Sequence, residues 1–211
     1  MTKHLIVNAD DYGRTASVSS GIRHAHLNGI VTTTTAMMNM PTVIEDIRVA
    51  QAECPRLGLG VHLTLTAGRP VLPPAQAPTL VDHNGAFLRL DQLTTALPNV
   101  NPAELRAEWR AQIEKFLATG AALDHLDSHH HTSYFTEIGF GIMLDLANEY
   151  HVSVRRPRAK DKNDADALSR AEFTERLLSK KQVRCPDHFI TSFYDDDVTI
   201  ISANGMVLRS R

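Results

Sequence analysis

Short apolar runs and longer stretches with helical spacing alternate along most of this chain. The apolar and β-branched runs predict strands at 4–9, 30–40, 57–66, 123–128, 152–156 and near 188–193. Between them, apolar residues at helical spacing predict helices at 14–29, 42–53, 101–120, 137–150 and about 167–181. Such alternation is typical of βαβ units, so we expect a parallel sheet in a single α/β domain over residues 1–211. Periodicity alone leaves open whether that sheet is doubly wound or a barrel.

The most distinct predicted helix begins at "NPAE" and ends near Gly120. Asn101 is a good N-cap, Pro102 suits the first turn, and Glu104 stands at the position from which a capping box is closed. Trp109 belongs to an apolar stripe that we expect to be core packing. The Gly- and Pro-rich stretch 67–82, in contrast, predicts a loop that runs over the surface.

Composition narrows the class of protein. The formal charge is −2 over 211 residues, which gives no basic stripe for nucleic acid or for an anionic membrane. No run of about 18 apolar residues predicts a membrane span, and the N-terminus lacks a signal-peptide pattern. The two cysteines are far apart, so a disulfide framework is not expected. We therefore expect a cytoplasmic protein without nucleic-acid or membrane partners.

Potential metal ligands gather at three predicted strand ends. Asp10 and Asp11 follow the first strand, His62 lies in "GVHLTL", and "HLDSHHHTS" spans 125–133. In parallel α/β architectures, the carboxyl edge of the sheet is where active sites are built. A carboxylate with two imidazoles suits Zn²⁺, Fe²⁺, Co²⁺ or Mn²⁺ and leaves positions free for water and substrate.

Each of these features also has a structural interpretation when it is taken alone. The aspartate pair could cap the next helix, His62 could be a packed strand residue, and the triple histidine could be a solvated loop. Their joint occurrence at three strand ends favours a metal site. Of the eleven histidines, His4, His151 and His188 begin predicted strands, and of these three only His188 is kept as a further residue of interest.

Four ordered motifs resemble the YdjC-like carbohydrate deacetylases, a family that includes chitooligosaccharide deacetylases. They are "IVNADDYG", "GIVTTTTAMMN", "GLGVHLTLTAGRP" and "HLDSHHHT". The resemblance is strong over residues 4–135 and continues weakly through "VRRPR" and "DHFITSFY". It implies a distorted, TIM-like (β/α) barrel of the polysaccharide deacetylase type. It also implies removal of N-acetyl groups from amino sugars or chitooligosaccharides, including 6-phosphorylated ones, with one divalent metal ion, Mg²⁺ or Zn²⁺.

The resemblance also implies roles for individual residues. Asp11, His62 and His129 correspond to the metal ligands, and Asp10 corresponds to the catalytic base. His125 and Asp127 are candidates to orient the ligands through hydrogen bonds. Arg156 is a candidate to pair with Asp10 or to grip a substrate phosphate or hydroxyl.

The chain departs from the family pattern in two places. Ser133 stands where members often have another histidine, and no late "CHP"-like motif, the source of a general acid, occurs before the end at "ISANGMVLRSR". We therefore expect a barrel that is incomplete at the C-terminus, with strand edges that a second copy in a homodimer could cover. Two alternative functions remain: a catalytically silent sugar- or metal-binding protein, and a metal-dependent phosphoesterase.

Overall fold

The computed structural model describes residues 4–156, 165–189, 199–201 and 207–209. Strands and helices alternate along the first part of the chain, as the apolar pattern predicts. The strands are β1 (Asn8–Tyr12), β2 (Thr33–Ala36), β3 (Gly58–Leu63), β4 (His125–Ser128), β5 (Ser153–Val154), β6 (Thr199–Ile201) and β7 (Val207–Arg209). The α-helices are α1 (Ala16–Asn28), α2 (Val43–Glu53), α3 (Leu90–Ala96), α4 (Pro102–Leu117), α5 (Glu137–Glu149) and α6 (Ala165–Lys181). Short 3₁₀ helices cover Pro74–Gln76, Leu97–Asn99 and His129–Tyr134.

Five strands form one parallel sheet in the order β1-β2-β3-β4-β5. The other two, β6 and β7, pair with each other in an antiparallel ribbon. Within the described residues the five-stranded sheet is open, so the α/β class is confirmed whereas closure into a TIM-like barrel stays a prediction. None of the described helices is both long and apolar enough to cross a membrane.

The two faces of this sheet differ in chemistry. One face carries apolar side chains that are buried in the core with the helices, among them Ala36, Val61, Leu126 and Val154. The opposite face is polar and holds Thr35, His62 and Asp127. The strand register places His62 beside Asp127, and Thr35 lies nearby on the adjacent strand. Because neighbours along a strand alternate between faces, each of these strands supplies both the core and the polar layer.

The first strand begins later than predicted, and this changes the position of the aspartate pair. Its ladder runs from Asn8 to Tyr12, so Asp10 and Asp11 lie within the strand and do not follow it. The preceding residue, Val7, is held by the Thr32 side chain through its backbone N–H.

Helix α3 was not predicted. Of the strand expected near 188–193, residues 188 and 189 are not in a strand, and 190–193 lie outside the described residues.

Segment 67–82 is partly internal, contrary to the surface loop that its composition predicts. Ala77 and Leu80 are fully buried. Glu104 does not close a capping box on Asn101, because its carboxylate accepts hydrogen bonds from the backbone N–H and the hydroxyl of Thr79, both at 2.8 Å. Helix α4 therefore anchors this long segment through the polar side chain of Glu104.

Candidate metal centre

Asp11, His62 and His129 come together at the carboxyl ends of β1, β3 and β4. Asp11 Oδ1 lies 3.2 Å from His62 Nε2 and 2.9 Å from His129 Nδ1. Both imidazoles are almost completely buried, whereas one-fifth of the Asp11 side chain is exposed. One oxygen and two nitrogens within 4.8 Å of one another form a group that could hold a single cation.

A β-bulge lets two adjacent aspartates reach this edge of the sheet. Between Ala9 and Tyr12, β1 has two residues where β2 has one. Asp11 is one of these two residues, and its backbone accommodates the bulge with a φ of 69°. This lies in the left-handed region, which aspartate tolerates better than most residues. The irregularity breaks the strict alternation of the strand, so Asp10 and Asp11 do not point to opposite faces.

Asp127 contacts the His62 ring at the nitrogen opposite the one that faces Asp11. Its Oδ1 lies 2.5 Å from His62 Nδ1, and its Oδ2 accepts a hydrogen bond of 3.1 Å from the Thr35 hydroxyl. Asp127 has no exposed surface. With Nδ1 donating to this carboxylate, Nε2 is the nitrogen that faces Asp11, which is the arrangement that orients histidine ligands in metal proteins.

Arg155 joins the remaining carboxylate to the same network. Its Nη1 donates to Asp10 Oδ2 at 2.8 Å and its Nη2 contacts Asp10 Oδ1, so the guanidinium grips both oxygens. Nη2 also lies 2.5 Å from Asp127 Oδ2. The Arg155 side chain is only 9% exposed, compared with 40% for Asp10. Asp10 is thus oriented by Arg155 while it remains accessible from solvent.

The expectation that Arg156 pairs with Asp10 is wrong by one residue. Arg156 points away and binds Glu175 on α6, with Cys185 Sγ at 3.8 Å. The reason is strand alternation: the Val154 side chain is buried on the apolar face, so the next residue, Arg155, returns to the polar face.

His125 occupies the polar face of β4 but at its amino end. Its Nδ1 contacts the neighbouring carboxylate of Asp124, and His125 does not belong to either of the acid–histidine groups found among the described residues. Asp127, one pleat further along the strand, is the one of the two predicted orienting residues that contacts His62.

The triple histidine forms a sharp turn after β4. His130 and His131 have φ values of 53° and 58°, two successive left-handed residues in the segment that follows His129. The His130 ring stacks on that of His129 with centroids 3.9 Å apart, and its Nδ1 lies 2.9 Å from the Thr66 hydroxyl. Left-handed backbone costs a non-glycine residue energy, and such strain is concentrated at functional sites.

The pKa shifts follow from burial and charge. Burial alone would raise the pKa of Asp11, but the adjacent rings of His129 and His62 hold it well below its ordinary value. Burial would lower the pKa of His62, yet the charge of Asp127 and the contacts with Asp11 and Asp127 raise it to about 10. The pKa of Asp127 would also rise on burial, and Arg155 and His62 keep it far below its usual range. Without a metal, the site therefore favours ionised carboxylates around a protonated His62.

The donor atoms fit a divalent cation. Asp11 Oδ1 is buried and contacts only the two imidazoles, and His129 Nε2 is buried without a hydrogen-bond partner among the described residues, which is costly unless something else binds there. A second acid–histidine group, formed by Asp10, His62 and Asp127, shares His62 with the first. Since Arg155 contacts both of its carboxylates, the charge of that group is already partly balanced by a protein cation.

Sequence reasoning missed several polar neighbours of the site. Asn8 donates to Asp10 Oδ1 at 2.6 Å, and Arg14 donates to Asp11 Oδ2 at 2.7 Å. Both lie within three residues of an aspartate in the chain, so proximity in "NADDYGR" was the available signal. Thr35 gave no such signal, because it is brought to Asp127 only by the pairing of distant strands.

Comparison with known proteins shows one family and several individual proteins to which this chain is similar. A family model described as "YdjC-like protein" matches residues 4–207. A carbohydrate deacetylase of Enterococcus faecalis is 37% identical over 213 residues, which cover 99% of this chain and 76% of the relative. A carbohydrate deacetylase of Thermoanaerobacter pseudethanolicus is 36% identical over 197 residues, which cover 93% of this chain and 72% of the relative.

A solved structure shares the fold. It is that of a candidate cellobiose-phosphate cleavage protein from Enterococcus faecalis V583, with a TM-score of 0.80 and 36% sequence identity. The superposition covers 94% of this chain and 72% of that one.

Proposed function

Because this chain belongs to the YdjC-like protein family, we propose that it is a carbohydrate deacetylase that hydrolyses the N-acetyl group of an amino sugar or chitooligosaccharide. The relatives at 33–41% identity that carry the name carbohydrate deacetylase support the reaction class. In this proposal Asp11, His62 and His129 hold one divalent metal ion, and Asp10 is the catalytic base.

The observation that carries the proposal is the division between the two aspartates. Asp11 lies against two imidazole nitrogens, whereas Asp10 is bound by Arg155 and remains the more exposed of the two. Amide hydrolysis needs both functions, a cation site and a separate carboxylate that can accept a proton. The β-bulge in β1 allows two adjacent residues, Asp11 and Asp10, to supply these two functions.

When bound, a divalent cation would lower the pKa of water and polarise the acetyl carbonyl. Asp10 then accepts the proton of the attacking water, with its two oxygens held in place by Arg155. As the C–N bond breaks, the amine nitrogen takes up a proton, and the proton held by Asp10 is available to it. Acetate and the free amino sugar are the products. Asp127 keeps the His62 ring oriented throughout.

The donor set bears on the identity of the metal. Two imidazole nitrogens with one carboxylate favour Zn²⁺ or Co²⁺ over Mg²⁺, which prefers oxygen ligands. We therefore expect Zn²⁺ or Co²⁺ to restore activity to chelator-treated protein more effectively than Mg²⁺ does.

The test measures acetate released from diacetylchitobiose and from its 6-phosphate. We expect release by the metal-loaded wild type, and none by Asp10→Asn although that variant still binds metal. Asp91→Asn is the matched control, since Asp91 is exposed and its side chain pairs only with Arg89 among the described residues. Absence of acetate from both substrates would refute the substrate assignment. Cleavage of cellobiose 6-phosphate into its sugars would instead support the activity for which the structural relative is named.

A further inference from the structure

Two polar side chains of α4 are completely buried although the helix lies outside the metal centre. Glu108 and Gln112 stand one turn apart and have no exposed surface. The rest of the buried face of this helix is apolar, with Trp109, Ile113 and Phe116. Buried polar groups stabilise a fold less reliably than apolar packing of the same volume, so this pair calls for a specific explanation.

Gln112 binds the backbone that follows the strand of His62. Its Oε1 accepts the N–H of Thr64 at 2.9 Å, and its Nε2 donates to the carbonyl of the same residue at 2.8 Å. Thr64 is itself fully buried, and its hydroxyl donates to the carbonyl of His62 at 2.8 Å. A two-point clamp therefore fixes the chain two residues after His62.

Glu108 binds the far end of the same segment. Its two oxygens accept the N–H groups of Val71 and Leu72 at 2.9 Å and 3.0 Å. Oε1 also accepts Nε2 of Gln112 at 2.8 Å, which joins the two clamps into one network. The segment 64–72 is thus tied to α4 at both ends.

Between these ends, the segment contacts His130, which stacks on the other histidine of the centre, His129. The Thr66 hydroxyl lies 2.9 Å from His130 Nδ1, and the His130 ring stacks on His129. One buried pair on α4 consequently bears on His62 through Thr64 and on His129 through Thr66.

We infer that Gln112 and Glu108 are positioning residues, which set the placement of His62 and His129 against Asp11. The inference rests on the proposed function, in which these three residues bind the metal. An apolar residue could fill the volume of Gln112, but it would leave the buried N–H and C=O of Thr64 without partners. The backbone would then shift to satisfy them, and His62 would shift with it.

The test compares Gln112→Met with Ile113→Ala, a substitution at the next, equally buried position of α4 whose side chain carries no polar contact. Co²⁺ titration followed by visible absorption reports both affinity and ligand geometry. We expect Gln112→Met to weaken Co²⁺ binding by about tenfold or more and to alter the absorption band. Ile113→Ala should destabilise the protein while it leaves both quantities as in the wild type. Equal effects of the two substitutions on Co²⁺ binding would overturn the inference.

A metal-free readout separates this inference from the proposed function. The Nδ1 proton of His62, shared with Asp127, should give a downfield NMR signal in chelator-treated wild type, displaced or lost in Gln112→Met but kept in Ile113→Ala. If the wild type binds no Co²⁺, the proposed function fails and the positioning role is judged on this signal alone. Should Gln112→Met not fold, Glu108→Gln tests the same network, because one of its acceptors becomes a donor facing an N–H group. An unchanged His62 signal in the folded variant would refute the role.

Discussion

The Asp127 carboxylate lies 2.5 Å from Nδ1 of His62, so the opposite nitrogen of the ring faces Asp11. Three further residues are connected to this pair. Thr35 and Arg155 bind the second oxygen of Asp127, and Arg155 also binds Asp10. A single buried carboxylate thus connects the proposed base with a proposed metal ligand.

Replacement of Asp127 by Asn should weaken metal binding while the fold is retained. The amide oxygen can still accept a hydrogen bond from His62 Nδ1, but the amide lacks the negative charge that raises the basicity of the ring. We expect the dissociation constant for Zn²⁺ to rise by about ten- to a hundredfold, measured by competition with a chromophoric chelator. Asp91→Asn serves again as the exposed control. An affinity that matches this control would exclude the orienting role of Asp127.

Arg155→Met and Arg156→Met should behave very differently although the residues are adjacent. Loss of Arg155 removes the cation from the fully buried Asp127 and from both oxygens of Asp10, so we expect a loss of about 3 kcal/mol in the free energy of unfolding and no acetate release. Loss of Arg156 breaks only a partly exposed pair with Glu175, which should cost less than about 1 kcal/mol. Urea unfolding and acetate assays on both variants decide the matter. Similar losses in the two would contradict the assigned pairing.

The metal-free protein should lose a histidine contribution to stability as the pH rises. The pKa of His62 is raised to about 10 in the folded chain, above its ordinary value of about 6.5 in the unfolded one. Its contribution is therefore fully present below about pH 6.5 and disappears as the pH approaches 10. We expect Tm in the presence of a chelator to fall more steeply between pH 7 and 10 for the wild type than for His62→Gln. Parallel curves would show that His62 does not carry this proton.

At position 11, glycine should be tolerated better than alanine. In regular structure alanine is the more stabilising of the two by about 1 kcal/mol, but the φ of 69° at Asp11 reverses the preference. Both Asp11→Gly and Asp11→Ala lose the carboxylate, so their difference isolates the backbone. Urea unfolding in a chelator should show Asp11→Gly to be the more stable variant by about 1 kcal/mol. The reverse order would mean that the bulge is absent.

The convergence of Asp11, His62 and His129 was accessible from the sequence because it depends on a general property of parallel sheets. The carboxyl ends of neighbouring strands meet at one edge, whatever the details of the loops. The resemblance separates the roles of Asp10 and Asp11, but the backbone geometry that brings both to this edge was not accessible, since it depends on a bulge that no local pattern marks. Only the register of β1 against β2 shows it.

Other errors have equally local causes. The choice between Arg155 and Arg156 depends on strand alternation. In "VSVRR" the two valines favour the core face, which directs Arg155 to the polar face, and the choice of Arg156 overlooked this signal. The burial of segment 67–82 depends on Glu104 and Glu108, whose carboxylates bind backbone N–H groups more than twenty residues away. A carboxylate on a helix is ordinarily solvated, so its sequence position does not predict such an anchor.

The bulge in β1 has a consequence for anyone who would transplant this centre into another protein. Copying the identities of the two aspartates onto a regular strand would send one of them through the sheet to the hydrophobic side. A recipient scaffold needs an additional residue in that strand, and a backbone that accepts a left-handed aspartate there. In a redesign, the unit to be grafted is the irregular strand together with its neighbour, and the side chains alone would not reproduce the site.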